Sequence, residues 1–189
     1  MLKENKEYKR FVWEFSNILK QNKQNKNLII LCIGTNKVIG DSIGPIVGTN
    51  LKNDLKINMK FKDEFYIKNK KIKIIGDMCN NISYNNIKEN IEKIDTIGEK
   101  NFIIVIDSAL SSENNIGKIF IHNRGLKYAE SLKRSNEIIG DMSIKAVVGK
   151  NTQNRFKNFK ILKNISSQRV ITMSNIVSKG IIDAMCLVE

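Results

Sequence analysis

Asp41 and Asp107 are the residues of this chain best placed to do chemistry. Asp41 stands inside GTNKVIGDSIGPIVG, residues 34–48, which holds four of the eleven glycines and the single proline. Asp107 closes the apolar run Phe102-Ile103-Ile104-Val105-Ile106 and opens IDSALSS. Two nearby carboxylates resist double ionisation, so one keeps a proton while the other stays charged. Such a pair can take a proton from water and give one to a leaving amine. The same pair could instead hold a divalent metal, and a lone aspartate at a strand end can also simply cap the backbone.

The glycine-rich segment excludes the common phosphate-binding motifs. Gly34 and Gly40 are separated by five residues, and Asp41 stands where GxxxxGK[ST] needs lysine. GxGxxG is also absent. Glycines let a backbone approach a substrate closely, and the helix start behind them offers unpaired N–H donors. The expected substrate contacts are therefore Gly34, Thr35, Asn36, Gly40, Ser42, Gly44 and Pro45, with Ser108 beside Asp107 and Asp141 as a supporting polar group. His122 is the only histidine, which rules out any site needing two imidazoles. No GxSxG elbow supports a serine nucleophile. Cys32, Cys79 and Cys186 form no CxxC pair and no metal-ligand spacing; Cys32 and Cys186 lie in apolar runs and read as buried. No cofactor is expected, apart from a metal that the acid pair could hold.

The elements that must position these residues follow from hydrophobic spacing. Tyr8, Phe11, Val12, Phe15, Ile18 and Leu19 form one stripe of a helix over 4–21, with Trp13 off the stripe, covering an edge. A polar linker leads into a strand at 27–33, then the glycine bend, then a helix with Pro45 in its first turn. Residues 56–71 read as a basic loop or irregular element. Further strands are expected at 72–75, 102–106, 117–121 and 143–148, and helices at 83–97 and from Ser166 or Ser167 onward; 150–160 reads as a polar connection. Strands alternating with helices indicate an α/β fold, a mainly parallel sheet covered on both faces. If the first strand and the 102–106 strand are neighbours, Asp41 and Asp107 converge on one crevice.

Bulk composition sets the wider frame. At 189 residues, 41% hydrophobic and 27% charged, the chain reads as one globular domain: a helix and linker over 1–26 and a core over 27–189. No signal peptide and no run of roughly 18 uninterrupted apolar residues is evident, so no membrane association is expected. The apolar C-terminal stretch carries Lys179 and Asp183 and reads as a packed helix. Reduced thiols suggest the cytoplasm. A net charge of +13 invites nucleic-acid binding, with Lys68, Lys70, Lys71 and Lys73 beside Phe65 and Tyr66 as its carrier. The alternative is an A/T-rich codon bias, since lysine dominates arginine, the usual base-reading cation.

LCIGTNKVIGDSIGPIVGTNL, IIVIDSALSS, NRGLK and GDMSIKAVVG together resemble the YyaC-type sporulation proteins, short relatives of the germination protease, over residues 28–187. The resemblance implies the three-layer α/β/α, phosphorylase/hydrolase-like fold shared with hydrogenase maturation endopeptidases. It implies an aspartic-type peptidase whose catalytic acids match Asp41 and Asp107. Its substrates would be small acid-soluble spore proteins or another sporulation protein, in the cytoplasm of the developing spore or mother cell. The hydrogenase-processing enzymes carry acidic metal ligands at those two positions and a histidine further on. The Asp141-Met142-Ser143 stretch nearest that position has none. The family histidine near Ile82-Ser83-Tyr84 is also missing, and NRGLK continues with Tyr128-Ala129-Glu130 instead of proline and glycine. The alternatives are a catalytically silent binding module for protein or nucleic acid, and a metal-dependent peptidase.

Overall fold

The computed structural model describes residues 2–22, 27–55, 64–67, 70–83, 85–95, 101–127 and 138–188. Five longer helices and eight strands run along the described residues. Strand β1 (Asn27–Cys32) has five consecutive buried residues, Leu28 to Cys32, because it lies inside the sheet with both faces covered. It pairs in parallel with β3 (Lys70–Ile75) on one side and β4 (Asn101–Ser111) on the other. Beyond β4 comes parallel β8 (Met142–Lys150), and each edge is closed by an antiparallel strand, β2 (Glu64–Ile67) on β3 and β5 (Ile119–His122) on β8.

Alternate residues of these strands feed two cores. Leu28, Ile30, Cys32, Ile104, Ile106, Ile144 and Ala146 pack against α1 (Lys6–Gln21), α2 (Ile43–Leu55) and α5 (Ser167–Leu187). Leu31 and Val105 face the opposite way, toward Ile87 of α3 (Ile87–Asp95) and the small ribbon of β6 (Leu126–Lys127) with β7 (Ile138–Ile139). The fold is therefore three-layered α/β/α with a mainly parallel sheet.

Helix α1 starts where the Asn5 side chain accepts N–H bonds from Glu7 and Tyr8. It belongs to the main core, since Phe11 and Phe15 are fully buried and Tyr8 donates to Asp183 of α5 at 2.6 Å. Helix α5 is long and apolar enough to cross a bilayer by length and composition, yet ten of its residues are buried within the domain.

Several expectations change. Within residues 150–160 begins helix α4 (Arg155–Lys163), which has no buried residue and so no clear apolar stripe. It is held instead by an Asn154 cap and by Asn158, whose amide bonds Thr152 and Asn151. Within the 56–71 segment lies β2, whose Phe65 is only 2% exposed and so cannot serve a basic binding patch; Lys68 and the Lys70 side chain lie outside the described residues, as do Tyr128, Ala129 and Glu130. Trp13 is 67% exposed and lines a groove of about 450 Å³ with Lys9, Lys20 and Leu187. Cys32 is buried but Cys186 is exposed, on the outer side of a last turn of α5 whose Ala184 and Met185 are buried.

Candidate active site

β1 and β4 run in register, Cys32 opposite Ile106, and the Ile33 N–H donates to the Ile106 carbonyl at 2.8 Å. The chain leaving β1 turns at Gly34, whose φ of +140° is a conformation that side chains rarely adopt. A Cβ there would also fall 2.1 Å from the Asp41 carbonyl oxygen. That oxygen accepts the Thr35 N–H at 3.0 Å, folding the loop back on itself. A single 3-10 turn, Ile39–Asp41, then delivers Asp41 to the mouth of β4, and α2 begins two residues later.

Here the Ser108 hydroxyl donates to Asp41 Oδ1 at 3.3 Å. Burial pushes the Asp41 carboxyl up to about 6, opposed by the bonds from Ser108 and the Thr35 N–H. Asp107 is pushed up to about 7, first by burial and then by the negative charge of Asp41, with the Ser108 N–H and the Lys145 ammonium acting the other way. Neither acid is sealed, since both are half-buried. Asp41 thus lies just past the end of β1 and Asp107 on the neighbouring strand β4, where the charge of Asp41 reaches Asp107 and Ser108 binds Asp41.

The remaining expected residues divide by role. Gly44 lets α2 pack against the end of β1, because a Cβ would lie 2.1 Å from the Ile33 carbonyl oxygen. Gly40 is closed against Leu162 of α4, and Pro45 is buried in the first turn of α2. Ser42 spends its hydroxyl on the Ile39 carbonyl at 2.7 Å, so it shapes the turn. Thr35 is half-buried and Asn36 exposed at the rim, where the Asn36 amide donates to the Met78 carbonyl at 2.9 Å.

Asp141 does not join the site. Its Oδ2 accepts the Ile103 N–H at 2.8 Å, and its own N–H donates to the Ile103 carbonyl. Ile103 precedes Asp107 by four residues, about 13 Å along an extended strand. Parallel strands enter β8 and β4 from the same edge, so a residue just before β8 must lie at the far end from the crevice. His122 sits on β5, separated from β4 by β8, with its ring stacked near Phe120 and its basicity lowered by burial, Lys145 and Arg124. Lys145 was missed. It pairs in register with Asp107, and a lone cation inside the apolar run Ser143–Val148 was the available signal.

The pair does not make a metal centre by itself. Among the described residues no group of three or more His, Cys, Asp and Glu side chains could hold an ion. Two carboxylates without a third such donor are a poor fit to a resident divalent metal.

The fold is shared with a peptidyl-tRNA hydrolase variant from Acinetobacter baumannii, at a TM-score of 0.51 and 14% identity over 85% of this chain and 93% of that one. A [NiFe] hydrogenase maturation protease, HycI from Thermococcus kodakarensis KOD1, aligns at a TM-score of 0.48 and 12% identity over 88% and 97% of the two chains. By sequence the chain belongs to the family described as "Protein of unknown function (DUF1256)", whose model matches residues 1–180. It is 24% identical to the uncharacterized protein YyaC of Bacillus subtilis (strain 168) over 156 residues, 82% of this chain and 68% of the relative.

Proposed function

We propose that the chain is an aspartic-type endopeptidase in which Asp41 and Asp107 work as a base and an acid. The observation that carries this reading is the pair of raised carboxyls brought together by the neighbouring strands β1 and β4, about 6 for Asp41 and about 7 for Asp107. At neutral pH Asp41 is mostly charged, while Asp107 is protonated in a large fraction of molecules. Asp41 takes a proton from water as the water oxygen bonds to the scissile carbonyl carbon. Asp107 gives its proton to the amide nitrogen as the C–N bond breaks. Transfer of the proton from Asp41 to Asp107 restores the starting state. Ser108 keeps Asp41 oriented throughout.

The resemblance to the germination protease suggests the substrates, small acid-soluble spore proteins or another sporulation protein, and a cytoplasmic setting in the spore or mother cell. The decisive assay compares wild type with Asp107→Asn on such a protein, following cleavage by gel and mass spectrometry. Cleavage should fall at least about a hundredfold in the variant, the order of effect of removing an acid–base group. Equal cleavage by both proteins would remove the mechanism.

A further inference from the structure

Helix α4 turns its smaller apolar side chains toward the core and presents its largest ones to solvent. Ile161 and Leu162 pack on the core, whereas Phe156 is 83% exposed and Phe159 48% exposed. Among the described residues Phe156 is the most exposed large hydrophobic side chain. Folding alone gives no reason for that orientation, since α4 is already fixed by Asn154, Asn158, Ile161 and Leu162. Around the phenylalanines stand Arg155, Lys157, Lys160 and Lys163, and RFKNFKILK contains no acid. The Lys163 ammonium lies 4.7 Å from the centre of the Phe159 ring.

The helix also adjoins the acid pair. Phe156, Phe159 and Leu162 recur three residues apart, so the apolar row runs along α4 toward its C-terminal end. There Leu162 closes on Gly40, and next to Gly40 on the Asp41 turn stands Ile39, 43% exposed. An apolar track flanked by cations therefore leads to Asp41.

We propose that α4 is the docking helix for the substrate of this site, and that it receives an acidic segment carrying bulky apolar residues. The proposal rests on the peptidase reading for where that segment goes next. Glutamate or aspartate side chains meet the four cations, apolar side chains cover Phe156 and Phe159, and the neutral amide bond beyond them enters the crevice. A phosphodiester chain suits the track less well, because its charge repeats at every residue and would meet Asp41 and Asp107 at the end. Three of the four cations are lysines, which lack the fork that grips phosphate.

The probe is a short fluorescein-labelled peptide of glutamates interrupted by leucines, titrated into the Asp107→Asn chain so that binding is read without cleavage. Anisotropy should give saturable binding, weakened about tenfold or more by Phe156→Ser with Phe159→Ser, and likewise by Lys157→Glu with Lys160→Glu. Added salt should weaken it further. Circular dichroism establishes that each variant keeps its fold. No saturable binding of the peptide, unchanged affinity in both folded variants, tighter binding of an oligothymidylate than of the peptide, or self-association that disappears with Phe156→Ser would each overturn the proposal. Peptide binding through α4 to a wild type that cleaves no protein would leave docking intact and remove the peptidase. Cleavage with an unchanged KM in the α4 variants would do the reverse.

Discussion

Asp107 carries a cost that can be measured without knowing the substrate. Its carboxyl rises from 3.8 to about 7, so between those values the folded chain holds a proton that the unfolded chain has lost. Its contribution to stability is greatest below pH 3.8 and declines as pH rises through about 7. Asp107→Asn should therefore be more stable than wild type at pH 8, by as much as about 4 kcal/mol, with the gap closing toward pH 4. Chemical denaturation at the two pH values checks this, and a variant that is less stable at pH 8 would show that the charge is well accommodated. Catalysis needs Asp41 charged and Asp107 protonated, so cleavage should follow a bell with its maximum between about 6 and about 7. Ser108→Ala removes a bond that favours charged Asp41. The acidic limb of the bell should move upward while the basic limb stays nearly in place.

At the scale of elements, the site depends on how closely α2 lies on the end of β1. Gly44→Ala would place a methyl 2.1 Å from the Ile33 carbonyl oxygen, an overlap that only a shift of α2 can relieve. Overpacking of this kind costs about 1–3 kcal/mol, and here it should also displace the Asp41 turn. Thermal unfolding together with the cleavage assay tests both effects; an unchanged midpoint and full activity would show that α2 moves freely. The glycine bend was legible because a run of glycines after an apolar strand has few other uses. Helix α4 was not, because its fixing points are the polar residues Asn154 and Asn158 and its exposed phenylalanines break the usual apolar period.

For the whole molecule, α1 ties the chain together. Phe11 is fully buried, and a Cβ at Gly180 of α5 would lie 2.5 Å from its ring, so the two helices meet backbone to side chain. Phe11→Ala should cost about 3–5 kcal/mol in denaturant unfolding. A loss below about 1 kcal/mol would mean that α1 is dispensable to the core.

By itself the sequence determined the fold class, most of the main strands and helices, and which acids follow apolar runs. Those features are local: continuous apolar runs bury on both faces, and glycines with one proline mark a strand-to-helix bend. Tertiary structure decided which of those acids meet. Asp41 and Asp107 come near each other because β1 lies beside β4 in parallel, so the loop leaving β1 at Cys32 starts beside Ile106, one residue before Asp107. Asp141 looks equivalent in sequence but precedes its strand, and a parallel sheet carries it to the opposite edge. Strand order is set by long-range packing of both sheet faces, and no spacing along the chain encodes it.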